Sequence, residues 1–305
     1  MKVLVTGSNG MLGRALLDTL KAVKIYGMGR LGKARNEKSG SFEYVSCDIT
    51  DRAAVFEAVN RIKPEVVVHA AAFTQVDDCQ REPEKAMAVN FTGTVNMADA
   101  AREAGAFLIF VSTDYVFDGQ KKTPYLEEDK VSPLSVYGAS KLEAEKYLLT
   151  MNSGNLIVRT SWVYGPGGKN FVETILRLAD ERPSLEVVDD QVGRPTYTYD
   201  LASAISWLCG HASAGNAGRT GVFPRILHVA NQGAATWFDF AREIIARAGK
   251  SVQVKPVSSE RLARPARRPV NSVLDTSKYD CLTKRPLREW KEALIEYLAL
   301  RRREE

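Results

Sequence analysis

The sequence contains few of the residues that build disulfide frameworks and metal sites. Its four cysteines, at positions 47, 79, 209 and 281, are scattered without a C-x-x-C pair, and no two of its three histidines are neighbours. A disulfide framework or a zinc site needs such residues at short, characteristic spacings. We therefore expect reduced, mostly buried thiols and no bound metal.

Long hydrophobic runs are missing as well. The longest, residues 66–73, is interrupted by His69 and falls well short of the ~20 residues that cross a bilayer. The apolar residues 3–5 are followed at once by Thr6 and Gly7, which leaves no room for the ~7–15-residue hydrophobic region of a signal peptide. We therefore expect a cytoplasmic protein without a membrane partner.

The net charge is also small. Lys and Arg number 42 against 37 acidic residues, and this excess of +5 is too dispersed to indicate a nucleic-acid partner, although it is compatible with a small anionic ligand. Apolar residues at 45% and charged residues at 26% exclude a mainly disordered chain. A length of 305 residues suggests about two domains.

The first half of the chain alternates short apolar runs with longer amphipathic ones, as β-α-β units around a parallel sheet do. The predicted strands are 2–6, 24–28, 42–46, 66–70, 107–112 and 156–160. The predicted helices between them are 11–23, 52–62, 90–104 and 136–149. This alternation predicts an α/β fold with a doubly wound parallel sheet of the Rossmann type.

A glycine-rich loop follows the first predicted strand. Residues 7–13 read Gly-Ser-Asn-Gly-Met-Leu-Gly, a G-x-x-G-x-x-G motif between a strand and a helix, which is the setting of a dinucleotide-binding loop. Gly7 would allow the tight turn, Gly10 the approach of a pyrophosphate, and Gly13 close packing of the helix. An ordinary glycine-rich turn is the alternative. The loop residues predicted to bind the cofactor are Gly7, Asn9, Gly10, Met11, Leu12 and Gly13.

The residues after the second strand favour NADP(H) over NAD(H) as this cofactor. In a NAD-type site a carboxylate follows the second strand and binds the ribose 2′-hydroxyl. Here residues 19–36 contain no carboxylate, and Arg30 follows the strand. A guanidinium suits a 2′-phosphate, although a solvated loop charge is the alternative interpretation of Arg30. After the third strand, Asp48 is predicted to accept a hydrogen bond from the adenine amino group, and Ile49 is predicted to bind the cofactor.

A second region begins after about residue 160, where the regular alternation weakens. We predict a dinucleotide-binding domain at 1–160 and a smaller substrate domain at 161–305, which would return segments near 198–210 and 225–231 to the first domain. Residues 210–221 are rich in Gly, Ala and Ser and are predicted to form an exposed loop.

Tyr137 and Lys141 are four residues apart and therefore lie on one face of a predicted helix. A phenol is a weak acid at neutral pH, and a nearby ammonium group lowers its pKa. A Y-x-x-x-K pair alone is common on surface helices. Here it follows a dinucleotide loop, and Ser112-Thr113 ends the strand before it. We interpret the pair as acid–base machinery.

These motifs resemble those of the extended short-chain dehydrogenase/reductase superfamily and, within it, the dTDP-4-dehydrorhamnose reductase family. The resemblance covers nearly the whole chain. The glycine loop and the Tyr-Lys pair are typical of the superfamily, whereas Thr-Asp-Tyr-Val-Phe-Asp-Gly at 113–119 and Arg-Pro-Val-Asn-Ser at 268–272 are more specific. Further matching segments lie at 70–77, 133–138, 159–165 and 190–196.

The resemblance implies reduction by NADPH of the C4 ketone of dTDP-4-dehydro-L-rhamnose, a dTDP-linked 4-keto-6-deoxysugar, to dTDP-L-rhamnose. Tyr137 would donate a proton to the ketone oxygen, and Thr113 would hydrogen-bond the same oxygen. Lys141 would hold the nicotinamide ribose and lower the pKa of Tyr137. A donor at this oxygen stabilises the negative charge that hydride addition creates. The resemblance leaves a homo-oligomer open.

Other residues receive roles from the same matching. Ala70, Ala71, Ala72 and Asn90 would bind the cofactor together with Tyr137 and Lys141, and Thr74, Val76, Thr113, Asp114, Trp162 and Arg268 would bind the substrate. Alternatives are a helix cap for Asn90 and core packing for Trp162. The basic run 261–268 is either a diphosphate clamp or a solvated loop, and His69 is interpreted as a core residue.

Two other functions remain as alternatives. A related nucleotide-sugar epimerase or dehydratase would share the cofactor loop, although the resemblance implies that a dehydratase would carry Glu at the position of Tyr115. A catalytically silent NADP-binding subunit, similar to the regulatory partner of methionine adenosyltransferase, is the other. The presence of Thr113, Tyr137 and Lys141 favours an enzyme.

Overall fold

The computed structural model describes residues 1–22, 24–30, 42–151, 154–212 and 224–304. Within these ranges a seven-stranded sheet forms the centre of the fold, and every neighbouring pair of its strands is parallel. Its strands are Lys2–Thr6 (β1), Lys24–Gly29 (β2), Phe42–Ser46 (β3), Val66–His69 (β4), Phe107–Thr113 (β5), Asn155–Thr160 (β6) and Ile226–His228 (β11). The predicted α/β doubly wound fold is confirmed.

The strand order β11-β6-β5-β4-β1-β2-β3 reverses direction between β1 and β4. At such a switch point the loops that leave the two strands diverge to opposite faces of the sheet, and ligands bind in the crevice outside the carboxyl ends of the strands. Residues 7–13 follow β1 and residues 70–74 follow β4, so the topology brings these two loops to one crevice.

Successive residues of the central strands enter different hydrophobic cores, because side chains alternate across a sheet. Val66 and Val68 belong to one core and Val67 to the other, and all three are fully buried. A short strand covered on both faces is expected to be apolar throughout, which explains the unbroken valine run that the sequence shows.

The helices of the described residues vary in length. They are Met11–Thr19 (α1), Arg52–Ile62 (α2), Val76–Arg81 (α3), Pro83–Met87 (α4), Gly93–Glu103 (α5), Val136–Thr150 (α6), Phe171–Glu181 (α7) and Thr198–His211 (α8). Further along the chain are Trp237–Ala248 (α9), Ser259–Leu262 (α10), Ser277–Thr283 (α11) and Trp290–Glu304 (α12). No helix in the described part of the chain is both long and apolar enough to cross a membrane.

Three predicted elements differ from the structure by more than one residue at a boundary. Helix α1 ends at Thr19 rather than at residue 23, because Leu20 adopts an extended conformation. The predicted helix at 90–104 begins earlier, since α4 continues through a π-helical turn, Ala88–Thr92, into α5. The predicted loop at 210–221 is wrong at its start, where α8 includes Gly210, and residues 213–221 lie outside the described residues.

The chain beyond Thr160 contributes to two different cores. Strand β11 pairs with β6 in the large sheet, and α8 places Leu201 and Ile205 in the core on the α1 side. Helices α7, α9 and α12 form a separate core. This separate core also takes residues from four short strands, Val163–Tyr164 (β7), Ser184–Val188 (β8), Thr196–Tyr197 (β10) and Ala235–Thr236 (β12). The domain functions assigned to 1–160 and 161–305 stay a prediction.

Candidate active site

A cavity of about 1080 Å³ lies at the carboxyl ends of β1, β4 and β5. One end of its wall is made by the glycine loop and the residues after β2 and β3, and the other by the start of α6 and residues 160–163. Among the residues predicted for the site, the following line the cavity: Gly7, Asn9, Gly10, Met11, Leu12, Gly13, Arg30, Asp48, Ile49, Ala70, Ala71, Ala72, Thr74, Val76, Thr113, Asp114, Tyr137, Lys141 and Trp162. Asn90 and Arg268 are outside this wall.

The glycine loop is held too closely for side chains. Gly7 has a φ of +67°, and a Cβ there would lie 2.8 Å from the Cα of Ala71. A Cβ on Gly13 would lie 2.2 Å from the carbonyl oxygen of Gly7. Glycine is therefore required at both positions, since either Cβ would overlap backbone atoms. The bare backbone and the N-terminus of α1 meet the cavity here, which fits the pyrophosphate of a dinucleotide.

Among the described residues, the adenosine end of the predicted cofactor site contains one exposed cation. Arg30 is exposed where β2 ends, and it shares the cavity wall with Asn9 and Asp48. The Asn9 amide donates a hydrogen bond to the Tyr44 hydroxyl at 2.9 Å, which ties the glycine loop to β3. Asp48 accepts hydrogen bonds from the amide (2.9 Å) and the hydroxyl (2.8 Å) of Thr50. The positive charge at this end fits a 2′-phosphate.

Asn90 organises the loop after β4. It is fully buried, its Oδ1 accepts from the Phe73 amide at 2.7 Å, and its Nδ2 donates to the Phe73 carbonyl at 3.0 Å and to the Ser140 hydroxyl at 2.9 Å. The helix-cap interpretation is wrong, because Asn90 lies inside the helical stretch that begins at α4. Its amide is used within the protein, so it supports the cavity wall from behind.

His69 is likewise a buried residue. Its two ring nitrogens make hydrogen bonds of 2.7 and 3.1 Å with the hydroxyls of Thr6 and Thr94. Burial lowers the pKa of His69 to about 3, and the nearby Lys141 charge acts in the same direction. The imidazole is therefore neutral at physiological pH and fully hydrogen-bonded, as a core histidine should be.

Thr113, Tyr137 and Lys141 come together on one wall, because β5 and α6 deliver them to the same place. Thr113 ends β5, and the two other residues occupy the first turns of α6, which Ser135 caps by accepting from the Gly138 amide at 3.2 Å. A Cβ on Gly138 would lie 2.2 Å from the Tyr115 carbonyl oxygen. This glycine lets α6 approach the turn that follows Thr113.

Burial determines the charge states in this group. It raises the pKa of Tyr137 well above its ordinary value, although the Thr113 hydroxyl opposes the shift. It also lowers the pKa of Lys141 to about 7, an effect that Glu145 opposes. The lowering of the Tyr137 pKa by Lys141 in the filled site stays a prediction.

Two stacked indoles from the second half of the chain form part of the cavity wall. The rings of Trp162 and Trp237 are 3.4 Å apart between centroids and 4° from parallel, and both line the cavity. Trp162 has a φ of +46°, an unfavourable conformation for a bulky residue. Gly193 accommodates the ring, since a Cβ there would lie 2.4 Å from the indole. Trp162 therefore faces the cavity, with part of its ring packed against protein.

Arg268 is bound to a carboxylate next to the cavity. Its Nη2 donates to Asp77 Oδ2 at 2.9 Å and its Nη1 to Oδ1 at 3.1 Å, and its side chain is only 13% exposed. Burial alone raises the pKa of Asp77, but the hydrogen bonds and charge of Arg268 outweigh it and lower the pKa. Arg261 pairs with Glu186 at 2.6 Å. Arg264 Nη1 also lies 3.7 Å from Asp77 Oδ2, so three guanidiniums of the predicted diphosphate clamp are already paired with protein carboxylates.

Comparison with known proteins identifies the family. The family model described as the RmlD substrate binding domain matches residues 1–302. A dTDP-4-dehydrorhamnose reductase of Streptomyces griseus is 42% identical over 299 residues, which are 96% of this chain and 91% of that protein. The chain belongs to the dTDP-4-dehydrorhamnose reductase family. The resemblance predicted from the sequence is confirmed.

Two further relatives inform the chemistry of this family member. A crystal structure of dTDP-4-dehydrorhamnose reductase from Bacillus anthracis in complex with NADP has a TM-score of 0.85 and 34% identity, and the match covers 98% of this chain and 99% of that one. A dTDP-4-keto-6-deoxy-D-glucose reductase of Streptomyces niveus is 36% identical over 97% of this chain and 96% of that protein. The chain is an NAD(P)-dependent oxidoreductase, and NADP(H) is its favoured cofactor.

Some cavity residues of this reductase-family protein were not predicted from the sequence. Trp237 begins α9, far along the chain, and Lys169 precedes the Asn170 that caps α7. Trp237 follows Thr236, whose capping box with Asp239 marks a helix start. That signal places the helix but gives no indication of the cavity, because the contact with Trp162 spans 75 positions of the chain.

Proposed function

We propose that this protein reduces the C4 ketone of dTDP-4-dehydro-β-L-rhamnose to give dTDP-L-rhamnose, with NADPH as the reductant. The observation that carries the proposal is the convergence of Thr113, Tyr137 and Lys141 on one wall of a cavity whose opposite end holds the glycine loop and Arg30. A ketone bound at that wall would meet a proton donor, a second hydrogen-bond donor and a cation together.

The reaction adds one hydride and one proton to the C=O group. NADPH, when bound, supplies the hydride to C4. Tyr137 then transfers its phenolic proton to the ketone oxygen, and the Thr113 hydroxyl donates a hydrogen bond to that oxygen as negative charge develops. Because Thr113 is buried, water competes little for its hydrogen bond to that oxygen. The products are the secondary alcohol and NADP⁺, and a proton from solvent converts the tyrosinate back to the phenol.

Lys141 is proposed to stabilise this tyrosinate and to bind the nicotinamide ribose. Its side chain is buried, and its ammonium lies 4.0 Å above the Phe110 ring. Burial disfavours the ammonium form, so hydroxyl acceptors of the ribose and the negative charge of tyrosinate would both raise its pKa. Lys141 would therefore carry its charge when the site is filled, which is when the reaction needs it.

The residues at the two ends of the cavity suggest which end binds the cofactor and which end binds the sugar. Arg30 is proposed to bind the 2′-phosphate, with Asp48 and Ile49 at the adenine. Ala70–Ala72 would let the cofactor approach the backbone after β4. Thr74, Val76, Asp114 and Trp162 are proposed to contact the sugar, and Arg268 to support that side through its ion pair with Asp77.

An absorbance assay with purified protein tests the proposal. NADPH should be oxidised on addition of dTDP-4-dehydro-β-L-rhamnose and should remain unchanged with the nucleotide alone. The C3/C5-epimeric substrate, dTDP-4-keto-6-deoxy-D-glucose, provides the comparison, and faster turnover of that compound would replace the proposed substrate. Tight NADPH binding without turnover of either sugar would instead favour the regulatory-subunit alternative.

A further inference from the structure

Asp114 directly follows Thr113 and lines the cavity, yet its carboxyl group is incompletely hydrogen-bonded. The residue is 2% exposed, and its Oδ1 lies 3.0 Å from the Thr113 hydroxyl oxygen. Its Oδ2 is buried and has no hydrogen-bond partner among the residues that the structure describes. Ser272 approaches the carboxyl group, but its hydroxyl donates to the Val192 carbonyl at 3.4 Å.

The Thr113 hydroxyl has only one proton to donate. It already accepts a hydrogen bond from the Tyr115 amide at 3.2 Å. An ionised Asp114 can only accept hydrogen bonds, and at 3.0 Å it would accept one from the Thr113 hydroxyl. Thr113 would then have no proton left to donate to a ketone oxygen in the cavity. A neutral Asp114 can donate to the remaining lone pair of Thr113, and the Thr113 proton is then available to the substrate.

The surroundings of Asp114 favour the neutral form. The titratable groups that face it are two phenols, Tyr115 in the turn after β5 and Tyr137 on α6. Two guanidiniums, those of Arg264 and Arg268, act on Tyr115 and are both paired with Asp77. Burial raises the pKa of Asp114 to about 7, although the hydroxyls of Ser272 and Thr113 and the backbone amides of Asp114 and Tyr115 oppose this shift.

We propose that Asp114 is a positioning residue that works as a neutral carboxylic acid: it donates to the Thr113 hydroxyl and so leaves the Thr113 proton for the ketone oxygen of the substrate. This role deepens the proposed function and rests on it for its catalytic meaning. The charge state of Asp114 itself is a property of the ligand-free protein, so it is measured independently of turnover.

Infrared difference spectroscopy tests the charge state. The spectrum of the wild-type protein minus that of Asp114→Asn should contain the carbonyl stretch of a protonated carboxylic acid at about pH 6, and the band should disappear as the pH rises through about 7. If Asp114→Asn does not fold, Thr113→Val assigns the same band, because loss of the hydroxyl partner shifts its frequency. A band that is absent throughout this pH range overturns the proposal.

Kinetics tests the consequence for Thr113. At about pH 6, Thr113→Val should lower kcat by about 100-fold, the effect of losing one donor to the oxyanion. At about pH 8.5 the loss of kcat caused by Thr113→Val should fall below about tenfold. At that pH the Thr113 hydroxyl of the wild-type protein donates to ionised Asp114 and no longer to the substrate. In the Asp114→Asn background the side-chain amide donates to Thr113 at every pH, so the penalty of Thr113→Val should stay constant.

The outcomes separate the two proposals. A penalty of Thr113→Val that is equal at both pH values in the wild-type background overturns the role of Asp114 while leaving the reductase function intact. If the wild-type protein does not reduce the ketosugar, the proposed function fails, and the infrared titration alone decides whether Asp114 is neutral.

Discussion

The buried ion pair between Glu145 and Arg159 supports a sharp prediction for Glu145→Gln. Glu145 lies one turn after Lys141 on α6, and its side chain and that of Arg159 on β6 are 1% and 3% exposed. Arg159 donates to Glu145 from Nη2 at 2.7 Å and from Nε at 3.0 Å, and the Ser112 hydroxyl donates to the same carboxylate at 2.5 Å. The variant keeps the side-chain volume but removes the charge.

The expected loss is large because Arg159 would remain buried without a counter-ion. The new amide NH₂ would also face guanidinium donors, so at least one hydrogen bond is replaced by a contact between two donors. Breaking one partner of a buried pair typically destabilises a protein by about 3–5 kcal/mol. That is a large part of the roughly 5–15 kcal/mol by which domains are stable.

Urea unfolding followed by circular dichroism measures this loss, and the chain offers a matched control. Arg177 and Glu181 form an i,i+4 pair at 2.8 Å on α7, with side chains 60% and 50% exposed. Glu181→Gln should change the free energy of unfolding by no more than about 0.5 kcal/mol. Adding Arg159→Met to Glu145→Gln should recover much of the lost stability, because the unpaired charge is removed.

The result that would refute the reasoning is a Glu145→Gln variant no less stable than the Glu181→Gln control. Such an outcome would mean that water reaches Arg159, so that its charge is not desolvated. A double variant less stable than Glu145→Gln alone would likewise contradict the assignment of the loss to an uncompensated charge.

Three further predictions follow from the site and the core. Tyr137→Phe should lower kcat in the NADPH oxidation assay by at least about 100-fold, the low end for general acid–base catalysis, and retention of rate would exclude the phenol as the proton donor. Arg30→Asp should weaken NADPH binding far more than NADH binding in a fluorescence titration, and equal losses would contradict the 2′-phosphate site. Burial lowers the pKa of His228 to about 3. As the pH falls below about 6.5, this histidine is therefore protonated in the unfolded chain but stays neutral in the native protein. Stability from this residue is present above about 6.5 and should fall by about 1.4 kcal/mol per pH unit below it. His228→Gln should flatten that slope in urea unfolding, whereas the exposed His211→Gln should not.

Much of the first half of the fold was predictable because its signals are local. The valine run of β4, the strand–glycine–helix sequence at residues 2–19 and the Tyr137–Lys141 spacing each depend on neighbouring residues. The physical causes of these signals are also local: side chains alternate along a strand, they repeat with the helical period, and glycine is needed where two backbone segments approach closely. For the same reason, local patterns missed the true end of α1 and the continuity of α4 with α5, where packing overrides propensity.

The candidate site was predictable only in part. The proposed roles of Thr113, Tyr137 and Lys141 rest on the family resemblance and on the chemistry of these residue types, and all three line the same cavity. Asn90 and Arg268 show the limit of such matching, because their polar groups bind Phe73 and Asp77 inside the protein. A sequence position does not reveal which partner a buried polar group finds, since these partners are 17 and 191 residues away.

By itself, the sequence determined the doubly wound architecture, the dinucleotide loop, the absence of a carboxylate after β2 and the residue types of an acid–base site. Only the tertiary structure decided the stacking of Trp162 on Trp237, the pairing of Arg268 with Asp77 and the desolvation that moves the pKa values of Tyr137, Lys141 and Asp114. The physical reason is that hydration and charge depend on which groups the fold brings within a few ångströms, and those groups come from distant parts of the chain.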